Sequence, residues 1–158
     1  MWVSWTVAHP VPVSRRPQAA RYCRYCLGRL SHRRYGEAMA RILVVDDQPS
    51  LAELIQTVLE EDGHSVEAVH GGQAALERIA HREYDLVICD LQMPDVDGAA
   101  VYRAVQRQVP RRPAVLLMTG YADSTTYDDF LQATGAVALS KPIGIDALRA
   151  MVTQQLGR

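Results

Sequence analysis

One lysine, one phenylalanine and three cysteines in 158 residues are the scarcities of this sequence, and each narrows the reading. Long apolar runs are also missing. The longest are of single-strand length, such as Ile42-Leu43-Val44-Val45 and Ala114-Val115-Leu116-Leu117-Met118. A membrane helix needs about 20 apolar residues, so no membrane span is expected. Near the N-terminus, His9, Pro10 and Pro12 interrupt the Trp- and Val-containing stretch before a signal-peptide core could form. The expected location is the cytoplasm. Cys23 and Cys26 have the spacing of half a zinc site, with His32 nearby, but the second pair that structural zinc normally needs is absent. Cys89 sits inside an apolar strand pattern and reads as a small core residue.

Charge divides the chain. Residues 1–38 carry seven Arg against one acid, a net +6, whereas residues 39–158 carry ten basic and seventeen acidic residues, a net −7. The expected organisation is a basic, disordered extension over 1–38 and one globular domain over 39–158.

From Arg41 onward strand and helix patterns alternate. Arg41–Asp46, Ser65–His70, Tyr84–Asp90, Pro113–Thr119 and Ala136–Lys141 read as strands. Pro49 opens a helix whose stripe is Leu51, Leu54, Ile55, Val58 and Leu59, and Gly63 closes it. Ala74, Ala75, Leu76 and Ile79 form a second helical stripe, and Ala100, Val101, Ala104 and Val105 a third. Residues 124–134 make a weaker helix with Ser124 as its N-cap and Gly135 at its end. Ile145–Leu156 closes the chain, with Leu148, Met151, Val152 and Leu156 on one face. Five strands alternating with five helices predict an α/β fold: a doubly wound parallel sheet covered on both sides. In such folds the site lies at the C-terminal strand ends.

Those ends carry the chemistry. Strand one ends in Asp46-Asp47, strand three in Asp90, strand four in Thr119-Gly120 and strand five in Lys141-Pro142. Three carboxylates brought together repel one another, so the cluster calls for a cation. Mg²⁺, a hard ion with oxygen ligands, suits it. A lysine and a hydroxyl opposite are what an incoming phosphoryl group requires. Lys141 is telling in itself. The sequence uses Arg sixteen times and Lys once, at a strand end where a compact point charge suits a phosphoryl oxygen better than a planar fork.

Residues 41–156 resemble a CheY-like response-regulator receiver domain. The resemblance rests on Val44-Val45-Asp46-Asp47-Gln48-Pro49-Ser50, Asp90-Leu91-Gln92-Met93-Pro94-Asp95-Val96-Asp97-Gly98, Met118-Thr119-Gly120 and Leu139-Ser140-Lys141-Pro142-Ile143, in that order and spacing. It implies a flavodoxin/CheY-like sheet of strand order 2-1-3-4-5. It also implies a single-domain response regulator of a two-component phosphorelay, a phosphoacceptor that promotes its own phosphorylation and dephosphorylation rather than an enzyme with a separate substrate. Asp90 matches the phosphoacceptor, Thr119 the switch hydroxyl and Lys141 the lysine that pairs with the phosphoryl group. For Mg²⁺, Asp47 matches a direct ligand, Asp46 one acting partly through water, Asp90 a third, and Gln92 the position whose backbone carbonyl completes the set. The Lys141-Pro142 bond is expected to be cis, and Gly98 closes the loop after the acceptor. Implied partners are a sensor histidine kinase or a histidine phosphotransfer protein, and a downstream protein target. No membrane or nucleic-acid partner is expected, and a homodimer is left open.

Two positions depart from the family pattern: Ala138 stands where an aromatic residue is usual, and Ile143 where Phe is common after Lys-Pro. Gln92 and Tyr121 occupy the positions that gate hydrolysis in the family, and the ring of Tyr121 predicts slow loss of the phosphoryl group. An aspartate-based phosphatase would need its second Asp at position 48, which is Gln, and a flavin site would be repelled by Asp46-Asp47. Finally, Gly36-Glu37 is encoded GGN-GAR, which can spell a ribosome-binding sequence before a start at Met39. Residues 1–38 are therefore expected to be translated leader, against the alternative of a basic arm docking on the acidic domain or an anionic partner.

Overall fold

The computed structural model describes residues 39–108, 111–120 and 124–157, with the side chains of 124–126 excepted. The expectations for residues 1–38 and for Tyr121 lie outside the described residues. The strands are β1 (Arg41–Val45), β2 (Ser65–Val69), β3 (Leu86–Asp90), β4 (Ala114–Thr119) and β5 (Val137–Ser140). The helices are α1 (Pro49–Glu61), α2 (Gly72–His81), α3 (Gly98–Gln106), α4 (Ser124–Thr134) and α5 (Ile145–Leu156). All strand pairs are parallel, in the order β2-β1-β3-β4-β5. Fold class and strand order are those expected.

The alternation of strand side chains sorts the core into two layers. Ile42, Val44, Leu86, Ile88, Leu116 and Met118 face α1 and α5, meeting Ile55, Leu59, Leu148 and Val152. Leu43, Val45, Val87, Cys89, Val115 and Leu117 face the other way, onto Ala75 and Ile79 of α2 and Val101 and Val105 of α3. Burial of each large aliphatic side chain contributes about 1.5–3 kcal/mol, and the interior strands β1, β3 and β4 carry most of the fully buried ones.

Differences from the sequence reading are small and physical. Leu54 was expected on the buried stripe of α1, yet it is 52% exposed; Ala52, Ile55, Val58 and Leu59 already fill that face. Tyr84 and Asp85 precede β3 instead of belonging to it, although the Asp85 N–H donates to Arg41 O at 2.8 Å. Ser124 is the first residue of α4, not the residue before it. Gln155, on α5, is buried with its Nε2 unpartnered among the described residues, and its amide gave no sequence signal. The Lys141-Pro142 bond is cis, as expected. No described helix is long and apolar enough to cross a membrane.

Candidate functional site

Register assembles the site. Val45 pairs with Cys89, so the next residues, Asp46 and Asp90, stand side by side on neighbouring strands and project to the same side of the sheet. Asp90 pairs with Met118, which places Thr119 one residue further along β4, and Thr119 pairs with Ser140, immediately before Lys141. The Lys141 N–H donates to Thr119 O at 2.7 Å and fixes the turn out of β5. Residues 95 positions apart in sequence thus meet through sheet geometry alone.

Lys141 is the hub. Its Nζ donates to Asp90 Oδ2 at 2.8 Å and to Asp46 Oδ2 at 2.9 Å. Asp46 is fully buried, and its Oδ1 accepts the Gln48 N–H at 2.8 Å. Asp90 is 4% exposed, and among the described residues its Oδ1 receives only a long contact from the Gln92 N–H, at 3.4 Å. Asp47 is exposed, yet one carboxylate oxygen from each of Asp46, Asp47 and Asp90 lies within 4.8 Å of the others. Three carboxylates against one ammonium leave the cluster two negative charges in excess when all are ionised.

The proton affinities reflect burial first and then the neighbouring charges. Burial pushes the Asp90 carboxyl above its ordinary value, aided by the charge of Asp46, and the hydrogen bond and charge of Lys141 offset this only in part. For Lys141, burial pulls downward, but its bonds to Asp90 and Asp46 and their charges prevail, so the ammonium is held more firmly than usual. The cluster therefore lacks positive charge. Its donors are all hard oxygens, which fits Mg²⁺. The neighbouring thiol of Cys89 does not join them. Burial pushes it far up, and it lies on the other face of β3, donating to Asp90 O at 3.2 Å.

The structure does not bring every expected group onto the cluster. The half-buried Thr119 hydroxyl donates to the carbonyl of Gly120 at a long 3.4 Å, with no bond to a carboxylate among the described residues. The Gln92 side chain is exposed, and only its backbone N–H reaches Asp90. Gly98 meets its expectation with a clear cause: a Cβ there would stand 2.2 Å from Asp90 O. The Gln48 N–H, which orients Asp46, went unnoticed in the sequence because a backbone donor has no residue signature.

The sequence profile of the response regulator receiver domain matches residues 42–153. The chain belongs to that family. Over 115 residues the receiver domain is 36% identical to the transcriptional regulatory protein ZraR of Escherichia coli O157:H7, covering 73% of this chain and 26% of that protein. It is 34% identical over 122 residues to the response regulator ArlR of Staphylococcus haemolyticus, covering 76% of this chain and 54% of that one. The sensor protein GacS of Pseudomonas syringae pv. syringae matches at 34% over 121 residues, 74% of this chain and 13% of its own length. The chain thus spans about a quarter of the ZraR protein, about half of ArlR and a smaller part of GacS. Among solved structures, a receiver domain from Clostridium thermocellum superposes with a TM-score of 0.69 at 28% identity, covering 76% of this chain and 96% of that one. A Francisella response regulator receiver domain gives 0.66 at 28%, covering 75% and 98%. The receiver domain is a phosphoryl-accepting module of two-component signalling, with an acidic pocket of the kind in which such domains bind Mg²⁺.

Proposed function

We propose that Asp90 is the phosphoacceptor of this receiver domain and that the phosphoryl group comes from a phosphohistidine. The observation that carries this is Lys141 Nζ, which ties the buried Asp46 and Asp90 into one cluster at the C-terminal edge of the sheet. Asp90 supplies the attacking carboxylate oxygen: a P–O bond forms as the P–N bond of the donor imidazole breaks. Lys141 stays protonated throughout and moves from pairing two carboxylates to pairing one carboxylate and a phosphoryl oxygen. Thr119, whose hydroxyl makes a long bond to the Gly120 carbonyl, donates a second hydrogen bond to that group.

Asp46, Asp47 and Asp90, with the backbone carbonyl of Gln92, would hold Mg²⁺. When bound, the ion supplies neutralising charge that lets an anionic donor approach the acidic cluster. The resulting acyl phosphate adds dianionic charge and biases the β4 and β5 ends that present Thr119 and Lys141. Partners follow from this reading: a sensor histidine kinase or histidine phosphotransfer protein upstream, and a protein target downstream, with the receiver itself in the cytoplasm. Water attack at phosphorus then breaks the Asp90 O–P bond, releases inorganic phosphate and returns the carboxylate to its resting form; this reading has the same site promote both steps.

The test uses acetyl phosphate as the donor. With Mg²⁺ the chain should gain one acid-labile phosphoryl group, and Asp90→Asn or chelation of Mg²⁺ should abolish the gain. Equal labelling of Asp90→Asn would contradict the assignment.

A further inference from the structure

We infer that Gly72, the first residue of α2, is a positioning residue of the acceptor site. Its missing side chain sets how closely the 91–97 loop lies, and so where Gln92 stands beside Asp90. The inference rests on the roles proposed above for Asp90 and Gln92. A Cβ on Gly72 would stand 2.1 Å from Val96 O and 2.6 Å from Val96 Cβ, well inside van der Waals contact. The obstacle is backbone, which cannot rotate aside as a side-chain tip can.

Val96 has little room to retreat. It is half-buried and packs on the core layer shared by α2 and α3. The next residue, Asp97, caps α3 by accepting the Ala100 N–H at 2.7 Å. Then Gly98 closes the loop, its N–H donating to Leu91 O at 3.0 Å, and a Cβ on it would stand 2.2 Å from Asp90 O. Both loop ends are pinned, so a displaced Val96 is absorbed between 92 and 95. Within that stretch Met93 is buried, whereas Gln92, Pro94 and Asp95 are exposed and carry less packing against a shift. The bond most easily disturbed is the long one from the Gln92 N–H to Asp90 Oδ1. A glycine without such a duty would gain helix propensity on replacement by alanine.

Gly71 provides the control. It has a φ of +101°, so alanine there is strained, yet a Cβ would meet nothing within 4 Å. The experiment compares Gly72→Ala, Gly71→Ala and the unsubstituted full chain by Mg²⁺ titration, with the Asp90 and Gln92 amide resonances followed in the metal-free proteins. Gly72→Ala should shift both amides and weaken Mg²⁺ binding roughly 10-fold, the scale seen when a group supporting metal ligands is disturbed. Gly71→Ala should lower the unfolding midpoint while leaving the Mg²⁺ constant in place. Unchanged Mg²⁺ binding in a folded Gly72→Ala, or equal weakening in both variants, overturns the inference.

Should Gly72→Ala fail to fold, Val96→Gly tests the loop's seat in a different way, by removing the side chain that packs the loop on the α2 and α3 layer. It should also weaken Mg²⁺ binding, and an unchanged constant overturns the inference. The acceptor reading fails by a different sign, labelling of Asp90→Asn, which leaves the Mg²⁺ result for Gly72 standing. No Mg²⁺ binding by the unsubstituted chain would overturn both.

Discussion

The two edges of the sheet are built differently, although both are single short strands. β2 is fastened by side chains. Glu67 takes Arg78 at 2.7 Å, Arg82 at 2.9 Å and the Tyr84 hydroxyl at 2.8 Å, and Gln56 of α1 donates to Val66 O at 3.3 Å. On β5, among the described residues, no side chain from Val137 to Ser140 makes a hydrogen bond or ion pair, and none is fully buried. Nor is any described side chain of the preceding α4. Yet β5 is the edge that delivers Lys141. The well-fastened edge reaches the acidic cluster only through its backbone, the Val69 carbonyl accepting the Asp46 N–H at 3.3 Å, whereas the residue just past the loosely held edge supplies the one cation paired with it among the described residues. A strand with few buried contacts opens or shifts at low cost, so a change of charge at Asp90 acts on the part of the fold least able to resist it.

The largest expected effect comes from cutting equal volumes from the interior of the sheet and from its β5 edge. Ile88→Ala removes a fully buried side chain of β3 and should cost about 3–4 kcal/mol, within the range for such truncations. Leu139→Ala on β5, where the side chain is only half-buried, should cost about 1 kcal/mol. Denaturant unfolding of both variants reads the difference, and similar costs would dismiss the idea of a soft edge.

A smaller effect is expected where the soft edge meets the site. Lys141→Met leaves Asp46 and Asp90 buried without their ammonium. The metal-free protein should lose about 2 kcal/mol, less than for a fully buried pair because Asp90 can take up a proton. Added Mg²⁺ should restore more stability to this variant than to the unsubstituted chain. Equal gains would show that the lysine and the metal do not share the same carboxylates.

The smallest effect lies on the fastened edge. Burial first, then the hydrogen bond and charge of Glu67, raise the Tyr84 pKa from 10.0 to about 12. A raised folded pKa gives stability that is complete below the unfolded value, near pH 10, and is lost as pH rises through about 12. Tyr84→Phe should cost about 1 kcal/mol at neutral pH and flatten the decline between those two values. A variant whose alkaline profile parallels that of the unsubstituted chain would remove Tyr84 from the account of that edge.

Most of the fold was legible because a buried parallel sheet writes itself as apolar runs ending in polar residues, and β1, β3 and β4 do so plainly. The cluster was legible for the same reason: Asp46, Asp90 and Lys141 each end a run, and register does the rest. What was not legible depends on distances across the fold. The threefold bonding of Glu67 joins residues of β2, α2 and the turn before β3, with no shared periodicity. The closeness of Gly72 to Val96 appears only once α2 and the loop are placed. Leu54 was misread because a helical stripe counts apolar residues without knowing how wide a face the sheet can cover.

The most direct test of the central claim is to locate the phosphoryl group chemically. After acetyl phosphate treatment with Mg²⁺, borohydride reduction converts an aspartyl phosphate to homoserine at the modified position, which peptide mass spectrometry can read. Homoserine at position 90, and at neither 46 nor 47, is the predicted result. Homoserine at 46 or 47 with Asp90 intact would contradict it.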